Sequence, residues 1–378
     1  MAQTQAQTSA EQTGAAAGQV LVAIGTRKGL WLARSGDRKD WQVTGPHLPM
    51  VEIPSVAIDT RAGHRLLVGA RSEHWGPTVQ RSDDLGATWH EPEGGAMVFP
   101  TDTGAALERV WQIAPDLARP GVVWAGAEPT SLWRSEDGGE SFSLVRGLWD
   151  HPHRPQWFPG QGGAAVHTVL ADPEDDQRVV VAMSTGGVYV SEDGGASWNP
   201  ANRGIRADFM PEPEPEFGQC VHKVARDAAD PRVMYAQNHG GVFRTDDGGK
   251  RWVSIADGLP ADFGFVMLAH PRTGGTAWVV PLTADRERLP PGGKLQVHRT
   301  RDGGRTWQPN ASGLPDQSWN TVLRDAAAVD DGDPVGVYIG TRDGTVYASA
   351  DEGESFTVVA EHLPDVLSVR ASRVPAGS

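Results

Sequence analysis

Short runs in which apolar and polar residues alternate recur along the whole chain. Three of them follow a glycine, at residues 29–34, 187–190 and 241–244, and further apolar runs precede such glycines, as at residues 20–24 and 233–236. A period of two residues is the pattern of a β-strand, and a glycine between two such runs is typical of a tight turn. The pattern predicts an all-β chain of short antiparallel strands.

One motif follows these strand pairs at near-constant intervals: Ser or Thr, any residue, Asp, any residue, Gly, any two residues, then Trp or Phe. Six copies begin at Ser82, Ser135, Ser191, Thr245, Thr300 and Ser349, and a shortened copy without the glycine begins at Ser35. The copies lie 47 to 56 residues apart. A repeat of about 50 residues with four strands is the unit of a β-propeller blade.

The motif has the residue types that a structural turn requires. Ser, Thr and Asp side chains hydrogen-bond the backbone of their own turn. Glycine supplies a positive φ, and the closing aromatic side chain packs between neighbouring sheets. We therefore interpret the Asp residues of this turn motif as structural, and not as catalytic or calcium-binding.

The two ends of the chain predict how the ring of blades closes. The first repeat begins at its second strand, at residues 20–24, and a leftover strand at residues 366–370 has no blade of its own. Pairing the two gives seven complete four-stranded blades and leaves no open sheet edge. We therefore expect a seven-bladed propeller over residues 20–374, preceded by a disordered tail at residues 1–19.

Composition and charge exclude several classes of function. The formal net charge is −14, which argues against a nucleic-acid partner because phosphate binding needs a Lys/Arg surface. The chain has no apolar stretch that resembles a signal peptide or a membrane span, so we expect no membrane partner and a cytoplasmic location. Cys220 is the only cysteine, so we expect no disulfide and no cysteine-based metal site, and we interpret it as a buried, inert thiol.

The turn motif resembles the Asp box of the BNR-repeat superfamily, whose WD40/YVTN-like propellers include sialidases, sortilin-type domains, xyloglucanases and photosystem II assembly factors. The resemblance implies a propeller that acts on saccharides or serves as a protein scaffold. Sialidases also carry an Arg-Ile-Pro motif and a Tyr nucleophile with a Glu partner. This chain has no Arg-Ile-Pro, and its four tyrosines all fall inside predicted second or third strands: Tyr189, Tyr235, Tyr338 and Tyr347. By motif it is therefore not a sialidase.

Strand order places a ligand site on the face opposite the turn motifs. That face is built from loops that join fourth to first strands and second to third strands, around the mouth of the axial channel. Four of these loops are long: residues 91–107, 146–166, 201–221 and 281–294. Long loops in a compact domain are typical of function, and propeller ligands bind in such concave mouths.

The candidate residues lie in or beside these loops. As catalytic candidates we select Glu73, Glu108, Glu128, His167 and His222. As ligand-binding candidates we select His74, Trp75, Arg109, Trp149, His151, Asn238, His239, Trp319 and Asn320. His167 and His222 occupy matched positions at the start of two successive inner strands, which favours a functional role for the pair.

Three functions fit these candidates. The first is binding of a small polar, saccharide-type ligand, with the glutamates as general acid and base for hydrolysis and tryptophans stacking on sugar faces. The second is a divalent-metal enzyme that uses His74, His167, His222 and His239, although no HxH or HExxH spacing supports it, so we assign no cofactor. The third is a non-catalytic scaffold that binds a protein partner. The charged rim favours the small polar ligand.

Overall fold

A computed structural model of the protein describes residues 18–61, 63–92, 95–160, 162–284 and 286–376. Of the predicted tail, residues 1–17 lie outside the described residues, and Gln19 already belongs to the first strand. Within the described residues, no helix is long and apolar enough to cross a membrane.

The described strands form six sheets, one of which has eight strands. We divide that sheet between the strands Val322–Val329 and Val366–Val374, which share a single residue pair, and call the resulting seven groups blades 1 to 7. Blade 1 contains β1 (Gln19–Thr26), β2 (Gly29–Ser35) and β3 (Gln42–His47); blade 2 contains β4 (Glu52–Asp59), β5 (Arg65–Ser72) and β6 (Gly76–Ser82); blade 3 contains β7 (Arg109–Pro115), β8 (Val123–Glu128), β9 (Ser131–Ser135) and β10 (Ser143–Leu144). Blade 4 contains β11 (Val166–Ala171), β12 (Val179–Met183), β13 (Gly187–Ser191) and β14 (Asn199–Pro200); blade 5 contains β15 (Val221–Arg226), β16 (Met234–Asn238), β17 (Gly241–Thr245) and β18 (Val253–Ser254).

Blade 6 contains β19 (Phe263–Ala269), β20 (Ala277–Leu282), β21 (Val297–Thr300) and β22 (Gln308–Asn310); blade 7 contains β23 (Val322–Val329), β24 (Val337–Thr341), β25 (Val346–Ser349) and β26 (Thr357–Ala360); and β27 (Val366–Val374) ends the series. In the described parts of the chain, the helical elements are one α-helix, α1 (Arg146–Trp149), and three short 3-10 turns at Thr101–Thr103, Arg154–Gln156 and Pro291–Gly293.

The C-terminal strand closes the ring, as the sequence predicts. Strand β27 pairs antiparallel with β1 from Gln19↔Val374 to Thr26↔Val366 and so becomes the innermost strand of blade 1. The innermost strand of each blade contacts that of the next, in the order β27, β4, β7, β11, β15, β19, β23 and back to β27. The chain is therefore a β-propeller whose first and last strands share one sheet.

Two strands differ from the sequence prediction. In blade 2 the fourth strand is reduced to one isolated bridge between Arg81 and His90, so only three strands pair there. The sequence predicts the innermost strand of blade 7 at residues 320–324, but the strand begins at Val322 and extends to Val329. A register irregularity between Val322 and Ala327 separates its two paired parts.

The turn motif folds as its residue types predict. Ser191 Oγ donates to Asp193 Oδ1 at 2.8 Å and accepts from the Gly195 amide at 2.8 Å, while Asp193 also accepts from the amide of Ser197. Hydrogen bonds from Ser197 lower the pKa of Asp193 to about 2. Gly195 has a φ of 97°, a conformation that side chains rarely adopt. The aspartate is therefore occupied by its own turn.

The closing aromatic residue of each turn anchors one blade against another. Trp198 is 4% exposed and lies in a buried cluster with Trp124 and Tyr189. Its Nε1 donates to the Gly195 carbonyl at 3.0 Å, so the indole is held by a hydrogen bond as well as by apolar packing. The same positions in other copies, such as Trp252 and Phe356, are also buried.

We expect Trp198→Ala to lower the free energy of unfolding by about 3–5 kcal/mol, because it removes a large buried aromatic side chain and leaves a cavity. Denaturant titration measures this change. Trp75→Ala is the control, because Trp75 is 91% exposed and its removal should change stability little. Equal effects of the two substitutions would contradict the anchoring role.

We expect deletion of residues 366–378 to cause aggregation or a large fall in Tm, because it removes β27 and leaves the edges of β1 and β23 unpaired. Thermal unfolding and light scattering measure both effects. A shorter deletion of residues 375–378, which keeps all of β27, should behave like the full chain. An unchanged Tm in the longer deletion would show that ring closure does not depend on this strand.

Candidate functional site

An axial cavity of about 340 Å³ lies on the face opposite the turn motifs. Inner strands β4, β7, β19, β23 and β27 contribute to its wall, together with residues from the turns that follow β1, β20 and β24. Five arginines line it, against two acids: Arg27, Arg109, Arg288, Arg324 and Arg342, with Glu52 and Asp325. The cavity is therefore rich in cationic side chains although the whole chain is acidic.

The acidic groups at this cavity are already paired with cations. Glu52 binds Arg27 at 3.3 Å and Arg109 at 3.1 Å. Asp365, at the edge of the mouth, binds Arg27 at 2.9 Å and Arg342 at 2.8 Å. A third carboxylate, Glu128, lies 3.9 Å from Arg109, so carboxylates and guanidinium groups are equal in number in this part of the wall.

Asp325 is occupied on another side of the cavity wall. Lys223 Nζ lies 2.7 Å from its Oδ1, and Arg370 lies 2.8 Å from the same oxygen. Although burial opposes ionisation, these two cations hold the pKa of Asp325 below its ordinary value. Asp325 is therefore an anion committed to the protein.

Arg324 has the least satisfied guanidinium in the cavity wall. Its Nη1 is buried and has no hydrogen-bond partner among the described residues. Its Cζ lies 5.1 Å from the centroid of the Trp111 ring, and Arg109 Cζ lies 5.3 Å from that ring, both within cation–π range. Burial lowers the pKa of Arg324, as expected for a cation that lacks a paired anion.

Among the carboxylate candidates, Glu128 is held beside this cavity. Its Oε2 accepts a hydrogen bond from Trp111 Nε1 at 3.0 Å and lies 3.9 Å from Arg109 Nη1. The carboxylate packs closely on Gly163, where a Cβ would collide with it. Glu108 is exposed, and its amide donates to the Glu128 carbonyl at 2.8 Å. Glu73 is exposed on the turn between β5 and β6.

The sequence groups four histidines in one possible metal site, but the structure brings only two of them together. His74 is exposed on the turn of blade 2, and His167 is fully buried in β11 with its Nδ1 3.3 Å from Thr168 Oγ1. His222 and His239 instead come together with Cys220, and the three ligand atoms lie within 4.8 Å of one another. The sequence predicts no cysteine-based metal site, but the structure brings the Cys220 thiol together with two imidazoles.

Two other binding candidates are used by the protein itself. Trp149 is buried against Phe99, and the Arg154 guanidinium lies 3.4 Å from its ring, so it has no free face for a sugar. His151 Nε2 lies 3.2 Å from the Trp198 carbonyl, and its Nδ1 accepts from the His153 amide. These contacts engage both side chains within the protein and correct the expectation that both face a ligand.

The remaining candidates lie on the rim or inside a blade. Trp75 and Trp319 are 91% and 56% exposed. Asn320 Nδ2 donates to Asp343 Oδ2 at 2.7 Å. Asn238 is buried and donates to the Arg206 carbonyl at 3.0 Å.

The tyrosines lie in second and third strands, as the sequence predicts. Tyr235 and Tyr338 donate to Asp227 and Asp330, each at 2.8 Å. Tyr189 accepts from Trp157 Nε1 at 3.0 Å, and burial raises its pKa. Each of these hydroxyls is engaged inside a blade, so none is placed as a nucleophile in the axial cavity.

Sequence reasoning found Arg109 but missed most of the cavity wall. One signal could have found two of the arginines: the tetrapeptide Ile-Gly-Thr-Arg occurs at residues 24–27 and again at residues 339–342. The repeat places Arg27 and Arg342 directly after the second strands of blades 1 and 7, which are adjacent in the ring. Arg324 and Trp111 lie on inner strands, where no comparable signal marks them.

A larger cavity of about 740 Å³ lies between blades 4 and 5 on the face of the turn motifs. Two of its arginines are paired with aspartates of the same cavity, Arg178 with Asp172 at 3.0 Å and Arg232 with Asp230 at 2.7 Å. The axial cavity is smaller but contains Arg324, whose buried Nη1 has no hydrogen-bond partner among the described residues, and we therefore consider it the better candidate site.

Comparison with known proteins places the chain among propellers. No family model matches it. The oligoxyloglucan-reducing end-specific xyloglucanase of Emericella nidulans is 26% identical over 244 residues, which is 55% of this chain and 28% of the enzyme. The chain therefore spans only about a quarter of that relative's length.

Solved structures agree on the fold. The GH74 enzyme of Niastella koreensis superposes with a TM-score of 0.58 at 16% identity, over 95% of this chain and 54% of the enzyme. An ancestral GH74 enzyme gives 0.55 at 16% identity, over 81% of this chain and 38% of that one. YCF48 bound to D1 peptide gives 0.50 at 14% identity, over 81% of each chain. The chain is thus a β-propeller of the kind found in glycoside hydrolases and in YCF48.

We expect acidification to destabilise the fold, because burial lowers the pKa of His222 to about 3 and that of His298 to about 4. Between these values and the ordinary 6.5, the unfolded chain binds protons that the folded chain does not. The free energy of unfolding should therefore fall as the pH is lowered through this window.

Denaturant titration at several pH values measures this slope. His298→Gln should make it shallower by up to about 1.4 kcal/mol per pH unit, since one buried neutral imidazole is removed. His90→Gln is the control, because His90 is exposed and should leave the slope unchanged. Identical slopes in all three proteins would refute the assignment.

Proposed function

We propose that this propeller binds a small carboxylate-bearing saccharide in its axial cavity. The observation that carries the proposal is the group of five arginines around a space of about 340 Å³, with acids that are already paired. A planar guanidinium binds a carboxylate through two parallel hydrogen bonds, and this interaction strengthens where water is excluded. Arg324, with its unpartnered buried nitrogen, is the arginine best prepared to receive it.

The aromatic residues of the cavity support a ring-shaped ligand. Trp111 and Phe265 line the wall and give it apolar surface beside the guanidinium groups that approach their rings. Trp111 is held in place by Glu128 through its indole nitrogen, so its orientation does not depend on the ligand. The xyloglucanase of Emericella nidulans, by its name a saccharide-acting enzyme, supports the saccharide part of the proposal. The arginines support the acidic part.

We include membership of the BNR/Asp-box superfamily in this proposal, with a sialidase-like architecture but without sialidase chemistry. Six complete copies of the turn motif and their shared pattern of hydrogen bonds support it. The engagement of three tyrosine hydroxyls inside the blades supports a mode of action other than a Tyr nucleophile.

A mutation of the unpartnered arginine tests the binding proposal. We expect Arg324→Gln to weaken binding of glucuronate or galacturonate at least about tenfold, because it removes the charge but keeps a hydrogen-bonding side chain. Isothermal titration calorimetry of the full chain measures the affinity, with glucose as the uncharged comparison. Arg301→Gln is the matched control, because Arg301 pairs with Glu352 on the turn-motif face. Equal affinity for the acid and the neutral sugar would refute the proposal.

A second substitution tests hydrolysis. Glu128 is the candidate acid or base in contact with the cavity wall, and Glu128→Gln deletes its titratable proton with little change of shape. If the cavity cleaves aryl glucuronides, we expect kcat to fall at least about 100-fold with folding intact. Turnover that survives the substitution would remove Glu128 from the mechanism, and binding without turnover in the parent protein would define a non-catalytic site.

A scaffold that binds a protein partner is the second candidate, and exposed aromatic side chains favour it. Trp75 and Trp319 are exposed near the upper rim, as are Phe158 and Phe209. Aromatic and arginine side chains are enriched where proteins bind each other. YCF48, a propeller of the same fold, has been solved with a bound peptide. For this function, Trp75→Ala and Trp319→Ala should abolish binding of a peptide partner while the affinity for glucuronate stays unchanged.

A further inference from the structure

Cys220, His222 and His239 meet at the upper end of blade 5. Cys220 directly precedes β15, His222 lies within it, and His239 follows β16. Because these two strands pair, the His239 amide donates to the Cys220 carbonyl at 2.9 Å. The pairing register shifts between Val221 and Lys223, so His222 is the extra residue of a bulge. A bulge redirects a side chain, here toward the other two residues.

The hydrogen bonds of His222 fix which ring nitrogen carries its proton. Its Nδ1 lies 2.5 Å from the Gly264 carbonyl, which can only accept, so Nδ1 is the donor. The lone pair is therefore on Nε2, and Nε2 lies 3.6 Å from Cys220 Sγ. Metal-binding histidines in proteins usually donate their second ring nitrogen to a carbonyl in this way, which orients the ring.

The separation of these atoms suits a tetrahedral metal. Zn–S and Zn–N bonds of about 2.3 and 2.0–2.1 Å at a tetrahedral angle place the two ligand atoms roughly 3.5 Å apart. The observed Cys220 Sγ to His222 Nε2 distance of 3.6 Å already meets this condition. All three ligand atoms lie within 4.8 Å, so a small rotation of the partly exposed His239 ring completes the set.

Aromatic rings surround the three residues. Phe263 lies 5.3 Å from the rings of both His222 and His239, and Phe265 lies 4.9 Å from His222. Phe209 lies 5.6 Å from His239. An apolar shell limits competition by water and strengthens the bond between a thiolate and a metal.

We propose that Cys220, His222 and His239 bind a thiophilic divalent ion of the zinc class, with a fourth coordination position left for water or an anion. One thiolate and two neutral imidazoles are the ligands that zinc prefers, and hard ions such as magnesium and calcium prefer oxygen. Binding releases the Cys220 thiol proton to solvent, so the site as a whole carries a charge of +1.

The position of the site relates it to the axial cavity. Phe265 lines that cavity and packs on His222, and Arg288 and Arg324 act electrostatically on Cys220. Burial outweighs these cations and raises the pKa of the Cys220 thiol, so it is the metal that displaces the thiol proton, while the cations favour an anionic fourth ligand. The site does not require a saccharide in the cavity, so this proposal stands independently of the proposed function.

Cobalt and zinc titrations of the full chain test the proposal. After chelator treatment, the protein should bind one Co²⁺ with a thiolate-to-cobalt charge-transfer band and with d–d bands of tetrahedral intensity, and Zn²⁺ should displace it. Cys220→Ala should abolish the charge-transfer band, and His239→Ala should weaken zinc binding at least about tenfold. His239 is partly exposed, so its variant should fold even if variants of the buried His222 do not.

His90→Ala is the matched control, since His90 is an exposed histidine on blade 2 that pairs with Glu140. It should bind both metals like the parent. Sub-stoichiometric binding, a cobalt spectrum without the thiolate band, or zinc affinity unchanged in Cys220→Ala would overturn the proposal. Rapid alkylation of Cys220 that zinc does not slow would also overturn it, and would assign Cys220 and His222 as a nucleophile and its base.

Discussion

The pairing of β27 with β1 is the constraint on which the rest of the structure depends. A propeller blade buries its faces only when it has a neighbour on each side, so the ring gains most of its packing only once it is closed. Here closure joins segments more than three hundred residues apart, through a sheet that runs from Gln19↔Val374 to Thr26↔Val366. The axial cavity exists because this sheet holds the inner strands at a fixed distance from the axis.

Buried charges near the axis connect blades that are far apart in the chain. Asp325 of β23 binds Lys223 of β15 and Arg370 of β27, so one carboxylate ties together three blades. Its Oδ2 has no hydrogen-bond partner among the described residues. Such a network adds little net stability, because removing the charges from water offsets their attraction. The network does fix how the inner strands face one another. Arg324 directly precedes Asp325 in the sequence.

The fold could be predicted from the sequence because its determinants are local. A strand pair and its turn lie within about 30 residues, and Ser191, Asp193 and Gly195 need only their own turn to form the predicted hydrogen bonds. The periods then predict the number and order of strands. The degenerate fourth strand of blade 2 was missed because it keeps the motif but pairs through only one bridge.

The candidate site could not be predicted in the same way, because its residues come from different blades. Arg27, Arg109 and Arg324 are brought together only by ring closure, and apart from the repeated tetrapeptide that ends in Arg27, nothing near them in sequence marks them as neighbours. Conversely, Trp149 lies in a loop whose composition predicts ligand binding, but its side chain packs in an apolar region beside Phe99. Cys220 and His222 are two residues apart, but His239 joins them only through the pairing of β15 with β16, which composition does not predict. The cytoplasmic location stays a prediction.

Asp365 lies at the seam of the ring, where the first and last blades meet, and its ion pairs help to hold the seam closed. The residue directly precedes β27, and it is gripped by Arg27 from the first blade and Arg342 from the last, while the Arg27 amide also donates to its carbonyl at 3.1 Å. The ring of blades would open at this seam, and the seam borders the axial cavity. A ligand that binds there and contacts both arginines would link the two ends of the polypeptide. The ligand-bound propeller would then open more slowly than the unbound one, so the rate of ring opening would depend on whether the ligand is bound.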